Sequence, residues 1–176
     1  QTKDDPVIDT YVRLKKQYGA DILVDVDIHR IEQSQAHELI KQLNGDESVS
    51  GIIVQLPLAD SRETDTLLNL VAPEKDVDAL GKEPEFDPAT PMAIMWLLAG
   101  YDVKLEGKAI LLVGQGKLVG APLYKQMLEA GYDVSVADRN TENLKDVISE
   151  ADIIITATGS PAIIYPEMLK SGAVVV

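Results

Sequence analysis

Residues able to hold or move a proton recur here at spacings that only folded elements bring together. In "DTYVRLKKQYG" (9–19), Tyr11 and Lys15 stand four apart and so share one face of a helix, with Lys16 beside them. Gln55 lies in "VQLPL" (54–58), behind a buried apolar run, and the carboxyl end of such a strand is where open α/β sheets present ligand groups. Asp76 and Asp78 stand two apart in "PEKDVDAL" (73–80), an irregular segment. A lysine in an apolar, partly closed cleft has its charged form disfavoured and can serve as acid or base near neutral pH. Each residue also has a plain account on its own: a solvated helix lysine, a loop glutamine, turn-forming aspartates.

A second constellation is "AILLVGQGKLVGAPL" (109–123), which reads as buried strand, glycine turn and helix start. Gly114 and Gly116 can let the backbone approach a pyrophosphate, and Gly120 can let the helix pack close, its N-terminus supplying oriented N–H groups. The spacing G-x-G-x-x-x-G is one residue longer than the usual dinucleotide fingerprint. The next strand, "DVSVAD" (133–138), ends in Asp138, near the expected place for an acid that binds an adenosine ribose hydroxyl. In the plainer reading the glycines only turn the chain and Asp138 only caps a helix. Arg139 could bind a 2′-phosphate that Asp138 would repel, so NAD and NADP both stay open.

The elements that must position these residues follow from apolar runs alternating with helical patterns, the mark of a parallel α/β architecture. Strands are expected at 21–28, 51–58, 108–114, 133–138, 152–159 and 172–176, and helices at 6–18, 32–44, 61–70, 91–100, 120–130 and 141–149. "GKEPEFDPATP" (81–91) is the linker candidate, giving one α/β lobe at 1–90 and a second, Rossmann-like lobe with a parallel sheet at 91–176. "GAVVV" stops within an expected central strand and "QTKDDP" leads straight into a helix, so the chain is expected to be part of something longer.

The 176 residues, 45% hydrophobic and 26% charged, suit a globular protein with a real core. Sixteen Lys and Arg against 29 Asp and Glu give a net charge of -13, and no basic stripe gathers, which argues against nucleic acid and anionic membrane surfaces. The absence of cysteine excludes disulfides, a thiolate nucleophile and a cysteine zinc site. His29 and His37 have no obvious third ligand, so no metal is expected. With no membrane span and no signal-like opening, a cytoplasmic protein is expected.

Taken together, "DDP…YVRLK", "GIIVQLPL", "PEKDVD", "TPMAIMWLL", "LEGKAILLVGQGKLVGAPL", "ADIIITATG" and "GAVVV" resemble the bifunctional methylenetetrahydrofolate dehydrogenase/methenyltetrahydrofolate cyclohydrolase family, over essentially the whole chain. The resemblance implies that Lys15 acts on the one-carbon bridge of the folate, that Tyr11 packs beside the pterin, that Gln55 tunes Lys15, and that Asp78 holds the pterin's amino and ring-nitrogen edge. It implies a folate site of Tyr11, Gln55, Leu56, Pro57 and Asp78. It also implies an NADP or NAD site of Gly114, Gln115, Gly116, Lys117, Val119, Gly120, Asp138, Arg139, Thr158 and Gly159. Tetrahydrofolate one-carbon derivatives as substrates and a homodimer follow from the same likeness.

The chain departs from that pattern in places. Most relatives carry Arg and Ser at Gln115 and Gly116, which puts NADP preference in doubt, and they have Gly at Ala79, Cys at Ala89 and a longer loop before "TP". The family also extends beyond both ends. Two other readings stand beside it: a shikimate-type dehydrogenase, which does not explain "VQLPL" with "KDVD", and a relative or fragment that binds nucleotide or folate without turnover.

Overall fold

The computed structural model describes all 176 residues, which form two compact units, Gln1–Phe86 and Asp87–Val176. The division falls inside the segment 81–91, ahead of the residue 90 expected from sequence.

The first unit is built on α1 (Pro6–Asp21), α2 (Ala36–Gly45) and α3 (Thr64–Leu68). Asp5 caps α1 by accepting the Val7 N–H, and Pro6 opens the helix where no N–H is needed. α1 buries Ile8, Val12 and Gly19, and its other side leaves Val7, Tyr11, Leu14 and Tyr18 exposed. A Cβ at Gly19 would lie 2.6 Å from Val26 and 2.7 Å from the Val24 carbonyl, so only glycine lets the chain double back there. Ala36 and Ile40 of α2 pack with Ile52, Leu58, Leu67 and Val71 into this unit's core.

Two of the expected strands, 21–28 and 51–58, do not form a ladder. The only pairing in the unit is an isolated parallel bridge between Ile52 and Asp76, and Leu23 is 95% exposed at φ 61°. Apolar composition makes a segment willing to extend, but a strand needs a neighbour for its N–H and C=O groups. The backbone of 22–24 instead closes onto the end of α1, through Ile22 N–H to Tyr18 and Val24 N–H to Gly19. The helix expected at 61–70 resolves into a 3-10 turn, Ser61–Glu63, followed by the single-turn α3.

Lys75 ties the "KDVD" segment to α2. Its ammonium donates to the carbonyls of Leu43 (3.0 Å), Asn44 (2.9 Å) and Asp46 (2.7 Å), filling acceptors that a helix C-terminus leaves open. Lys75→Met keeps the stem and loses these bonds. We expect it to cost about 2 kcal/mol, the range for hydrogen bonds to a charged group, read by urea unfolding. An unchanged midpoint would show that water replaces the lysine at no cost.

The second unit is a doubly wound sheet of order β2-β1-β3-β4, all parallel: β1 (Ile110–Val113), β2 (Val134–Ala137), β3 (Ile153–Thr156) and β4 (Val174–Val175). Its helices are α4 (Ala89–Gly100), α5 (Gly120–Glu129) and α6 (Leu144–Glu150). The unbroken apolar runs are explained by burial on both faces. Ile110, Leu112, Ile153 and Ile155 point into a core with Leu98 of α4 and Leu123 and Met127 of α5. Leu111, Val113 and Ile154 point the other way, against Ile148 of α6. Asp152 accepts the Ala109 N–H (2.9 Å) and is held by Lys170 (2.7 Å), which pins the starts of β1 and β3 together. The strands are shorter than expected at their ends, while α4 starts two residues ahead of the expected 91. α6 begins only at Leu144 because Asn143 takes a left-handed conformation, φ 53°. No helix of the chain is long and apolar enough to cross a membrane.

Candidate functional site

The first unit gathers Lys15, Gln55 and Asp78 into one cluster. α1 carries Lys15 one turn beyond Tyr11, the extended segment after Ile52 carries Gln55, and the irregular segment after the Ile52–Asp76 bridge carries Asp78. The Lys15 Nζ donates to Gln55 Oε1 at 3.3 Å and lies 3.9 Å from Asp78 Oδ2. The Gln55 amide is itself oriented, its Nε2 donating to the Leu56 carbonyl at 2.9 Å, so its oxygen is left to face the lysine. Tyr11 is 59% exposed and offers an open ring face on the same side of α1. Leu56 packs against the core of the unit, and the Leu56–Pro57 peptide is cis.

The ion pair between Lys15 and Asp78 was not foreseen from sequence. The family likeness singled out Asp78 for the pterin, but residue types alone do not say that Asp76 is the buried one. Asp76 is 4% exposed and serves the backbone, accepting the Gly81 N–H at 2.7 Å, whereas Asp78 faces the lysine.

Burial holds the Asp78 carboxyl above its ordinary range, against the pull of Lys15 and with a push from the Asp76 charge. In the unfolded chain it titrates near 3.8, so above that value the fold binds the extra proton. Stability linked to this group is therefore full below pH 3.8 and falls as the pH rises through the raised folded value. Asp78→Asn removes that dependence. The drop in melting temperature between pH 4 and pH 7 should be smaller in the variant than in the parent; equal drops would discard the burial account.

In the second unit, Gly114 to Val119 run from the end of β1 to the start of α5. Gly114 has φ 97°, and a Cβ there would sit 2.6 Å from the Ala157 carbonyl. A Cβ at Gly120 would overlap the Gly114 carbonyl and approach Gln115 Cα to 2.8 Å, so α5 packs on the loop at glycine distance. Gly116 differs: nothing lies within 4 Å of the position its Cβ would take. Beside this loop is a cleft of about 490 Å³ lined by Gly116, Lys117, Val119, Thr156 and Thr158, together with Thr90 and Ile94 of α4. It lies between the carboxyl ends of β1 and β3, where the sheet order changes direction and where such folds take ligands. Thr90, Ile94, Leu118, Thr156 and Ala157 were not singled out as site residues from sequence, although "TP" and "ADIIITATG" stood among the motifs quoted.

Gln115 is exposed on the loop, and Gly159 is exposed beyond β3. Thr158 Oγ1 accepts the Ser160 N–H at 2.9 Å. Asp138 stands exposed just past β2, next to exposed Arg139. Its Oδ1 accepts the Asn140 N–H at 2.8 Å and its own N–H donates to Thr141 Oγ1 at 2.8 Å, so it builds the 138–141 turn. No three His, Cys, Asp or Glu side chains converge in a way that could hold a metal ion.

Comparison with known proteins matches both units. Residues 1–78 fit the model of the tetrahydrofolate dehydrogenase/cyclohydrolase catalytic domain, and residues 88–176 that of the NAD(P)-binding domain of the same family. The chain is 36% identical over 186 residues to the bifunctional protein FolD of Lactobacillus helveticus, covering 98% of this chain and 66% of that protein. It is 38% identical over 185 residues to FolD of Helicobacter pylori, covering 98% and 64%. The chain thus spans a little under two thirds of these relatives' length. The crystal structure of the bifunctional enzyme FolD-methylenetetrahydrofolate dehydrogenase/cyclohydrolase from Campylobacter jejuni superposes with a TM-score of 0.92 at 34% identity, covering 99% of this chain and 67% of that one.

Proposed function

Because the chain belongs to the tetrahydrofolate dehydrogenase/cyclohydrolase family, we propose that the protein oxidises 5,10-methylenetetrahydrofolate to the 5,10-methenyl form with NAD(P) and hydrolyses the methenyl form to 10-formyltetrahydrofolate. The observation that carries this reading is Lys15 held by Gln55 at 3.3 Å, 3.9 Å from Asp78, with Tyr11 open one turn away.

The second unit supports the nucleotide requirement: the open space at Gly116 and the cleft beside it fit a group that approaches the backbone closely. The residues to hold it are Gly114 to Gly120 at the phosphates, Asp138 and Arg139 at the adenosine ribose, and Thr158 and Gly159 beyond β3. When bound, the nicotinamide supplies the acceptor for the hydride leaving the methylene carbon.

In the hydrolytic step water adds to the methenyl carbon, its oxygen gives up both protons as it becomes the formyl carbonyl, the bond from that carbon to N5 breaks, N5 takes one proton and the other leaves to solvent, and the formyl group stays on N10. Lys15 carries the proton, and Gln55 holds the ammonium's direction. Asp78 accepts the pterin's amino and ring N–H groups, and Tyr11, with Leu56 and Pro57, packs on the ring. Family membership also supports a cytoplasmic homodimer that feeds one-carbon units to purine biosynthesis, without nucleic acid or membrane partners.

The deciding assay follows methenyltetrahydrofolate formation from the methylene form with NAD and NADP in parallel, on the whole protein. Turnover supports the reading; ligand binding without turnover would make it a binding-only relative. The Asp138 carboxylate supports NAD, because it would repel a 2′-phosphate, while Arg139 would attract one. Asp138→Ser is expected to lower kcat/KM with NAD by about tenfold and to raise the relative use of NADP, since one charge-assisted hydrogen bond is worth about 1.4 kcal/mol or more. An unmoved NAD to NADP ratio would remove Asp138 from the ribose.

A further inference from the structure

Asp76 is the only charged side chain buried in the chain, at 4% exposure. Burying a carboxylate is costly unless hydrogen bonds or a counter-charge compensate it, so its partners indicate its use. Its main-chain carbonyl accepts the Ala79 N–H (3.0 Å), and its Oδ2 accepts the Gly81 N–H (2.7 Å). One residue thus takes both hydrogen bonds that fold residues 77–80 back over it, and Asp78 lies within that arc.

The other side of the arc is equally fixed. The Ile52 N–H donates to the Lys75 carbonyl at 2.7 Å, and the Lys75 ammonium is spread over the end of α2. A Cβ at Gly51 would lie 2.7 Å from Val77, so that side chain seats closely as well. A Cβ at Gly81 would lie 2.9 Å from Asp76 Oδ2 and 3.3 Å from the Leu68 carbonyl, so Gly81 and the buried carboxylate fit each other. In "KDVD" three residues hold and the fourth is presented.

We propose that Asp76 is a positioning residue, whose clamp on Gly81 sets where the Asp78 carboxylate stands relative to Lys15 and so how tightly the folate ring is held. This rests on the folate reading given above. The clamp needs an acceptor at the reach of the Asp76 side chain, and an amide oxygen provides one; a methyl group does not.

The test measures KM and kcat for methylenetetrahydrofolate, and KM for NAD(P), on the whole protein carrying Asp76→Ala, Asp76→Asn, Gly81→Ala or Asp78→Asn. Asp76→Ala and Gly81→Ala should each raise the folate KM by about tenfold or more, since a displacement of about 1 Å costs that much or more. Asp76→Asn should restore it to within about threefold, and the nucleotide KM should stay put in all four. A purely structural Asp76 would lower the melting temperature and leave the folate KM of folded protein alone.

If Asp76→Ala does not fold, Gly81→Ala decides, because it pushes the carboxylate aside without emptying its site. Asp78→Asn raising the folate KM while the folded clamp variants leave it within about twofold would overturn the clamp alone. Asp78→Asn without effect would overturn the folate reading on which the clamp depends.

Discussion

Lys15→Met is expected to lower methenyl hydrolysis by about 10²–10⁴-fold, the contribution of a well-placed general acid or base, and to leave the fold standing. Methionine keeps the length of the apolar stem and removes only the ammonium. The lysine side chain is 40% exposed and its ties are to Gln55 and Asp78, so the loss of stability should stay within about 1 kcal/mol. The variant has a second readout. Lys15 is the group that pulls the Asp78 proton affinity down, so without it burial and the Asp76 charge act unopposed and Asp78 keeps its proton to higher pH. Activity should therefore collapse while circular dichroism and nucleotide affinity hold. Hydrolysis at the parent's rate would remove Lys15 from the chemistry.

The largest structural effect is expected at Gly120. An alanine methyl there overlaps the Gly114 carbonyl and presses on Gln115 Cα, both backbone atoms that no rotamer change can move away. Relief requires α5 to lift from the loop, which separates Leu123 and Met127 from Leu112 and Ile155 in the core. We expect Gly120→Ala to cost about 3 kcal/mol or more, the upper range for overpacking, and to lower the melting temperature by about 6–12 °C in a protein of this size. Gly116→Ser is the control: with no atom within 4 Å of its Cβ position, it should change stability by no more than about 0.5 kcal/mol. If Gly120→Ala melts with the parent, the loop is softer than its contacts imply.

These two glycines also show what sequence could reveal. In "GQGKLVG" the sequence set Gly120 apart as the packing glycine but grouped Gly114 with Gly116, and only the fold shows that packing demands Gly114 as well while Gly116 faces open space. The sheet of the second unit was legible because a parallel sheet covered on both faces writes itself as unbroken apolar runs, as "AILLV" and "DIIIT" do. "DILVDVDI" has a short apolar run and then alternates with Asp25 and Asp27, and it forms no strand, because apolar residues report a willingness to extend and not the presence of a neighbour with free N–H and C=O groups. The candidate site was legible in its residue types. Lys15 beside Gln55 joins positions 40 apart in sequence, and the family likeness supplied that pairing where spacing could not. The family likeness singled out Asp78, but the work of Asp76 was not legible: its burial and its bond to the Gly81 N–H accompany a left-handed Ala79, φ 55°, a turn that an alanine does not announce.

The split at Phe86 and Asp87 gives damage an asymmetric outcome. Lys15, Gln55, Asp78 and Tyr11 all come from the first unit, and the glycine loop with its cleft comes wholly from the second. On the proposed assignment, a lesion confined to the loop would silence the redox half and spare the hydrolytic half, whereas a lesion at Asp78 would silence both by losing the shared pterin. A lineage under relaxed selection would thus have two short exits, one through the loop that leaves a hydrolase and one through Lys15 that leaves a dehydrogenase, and none through Asp78.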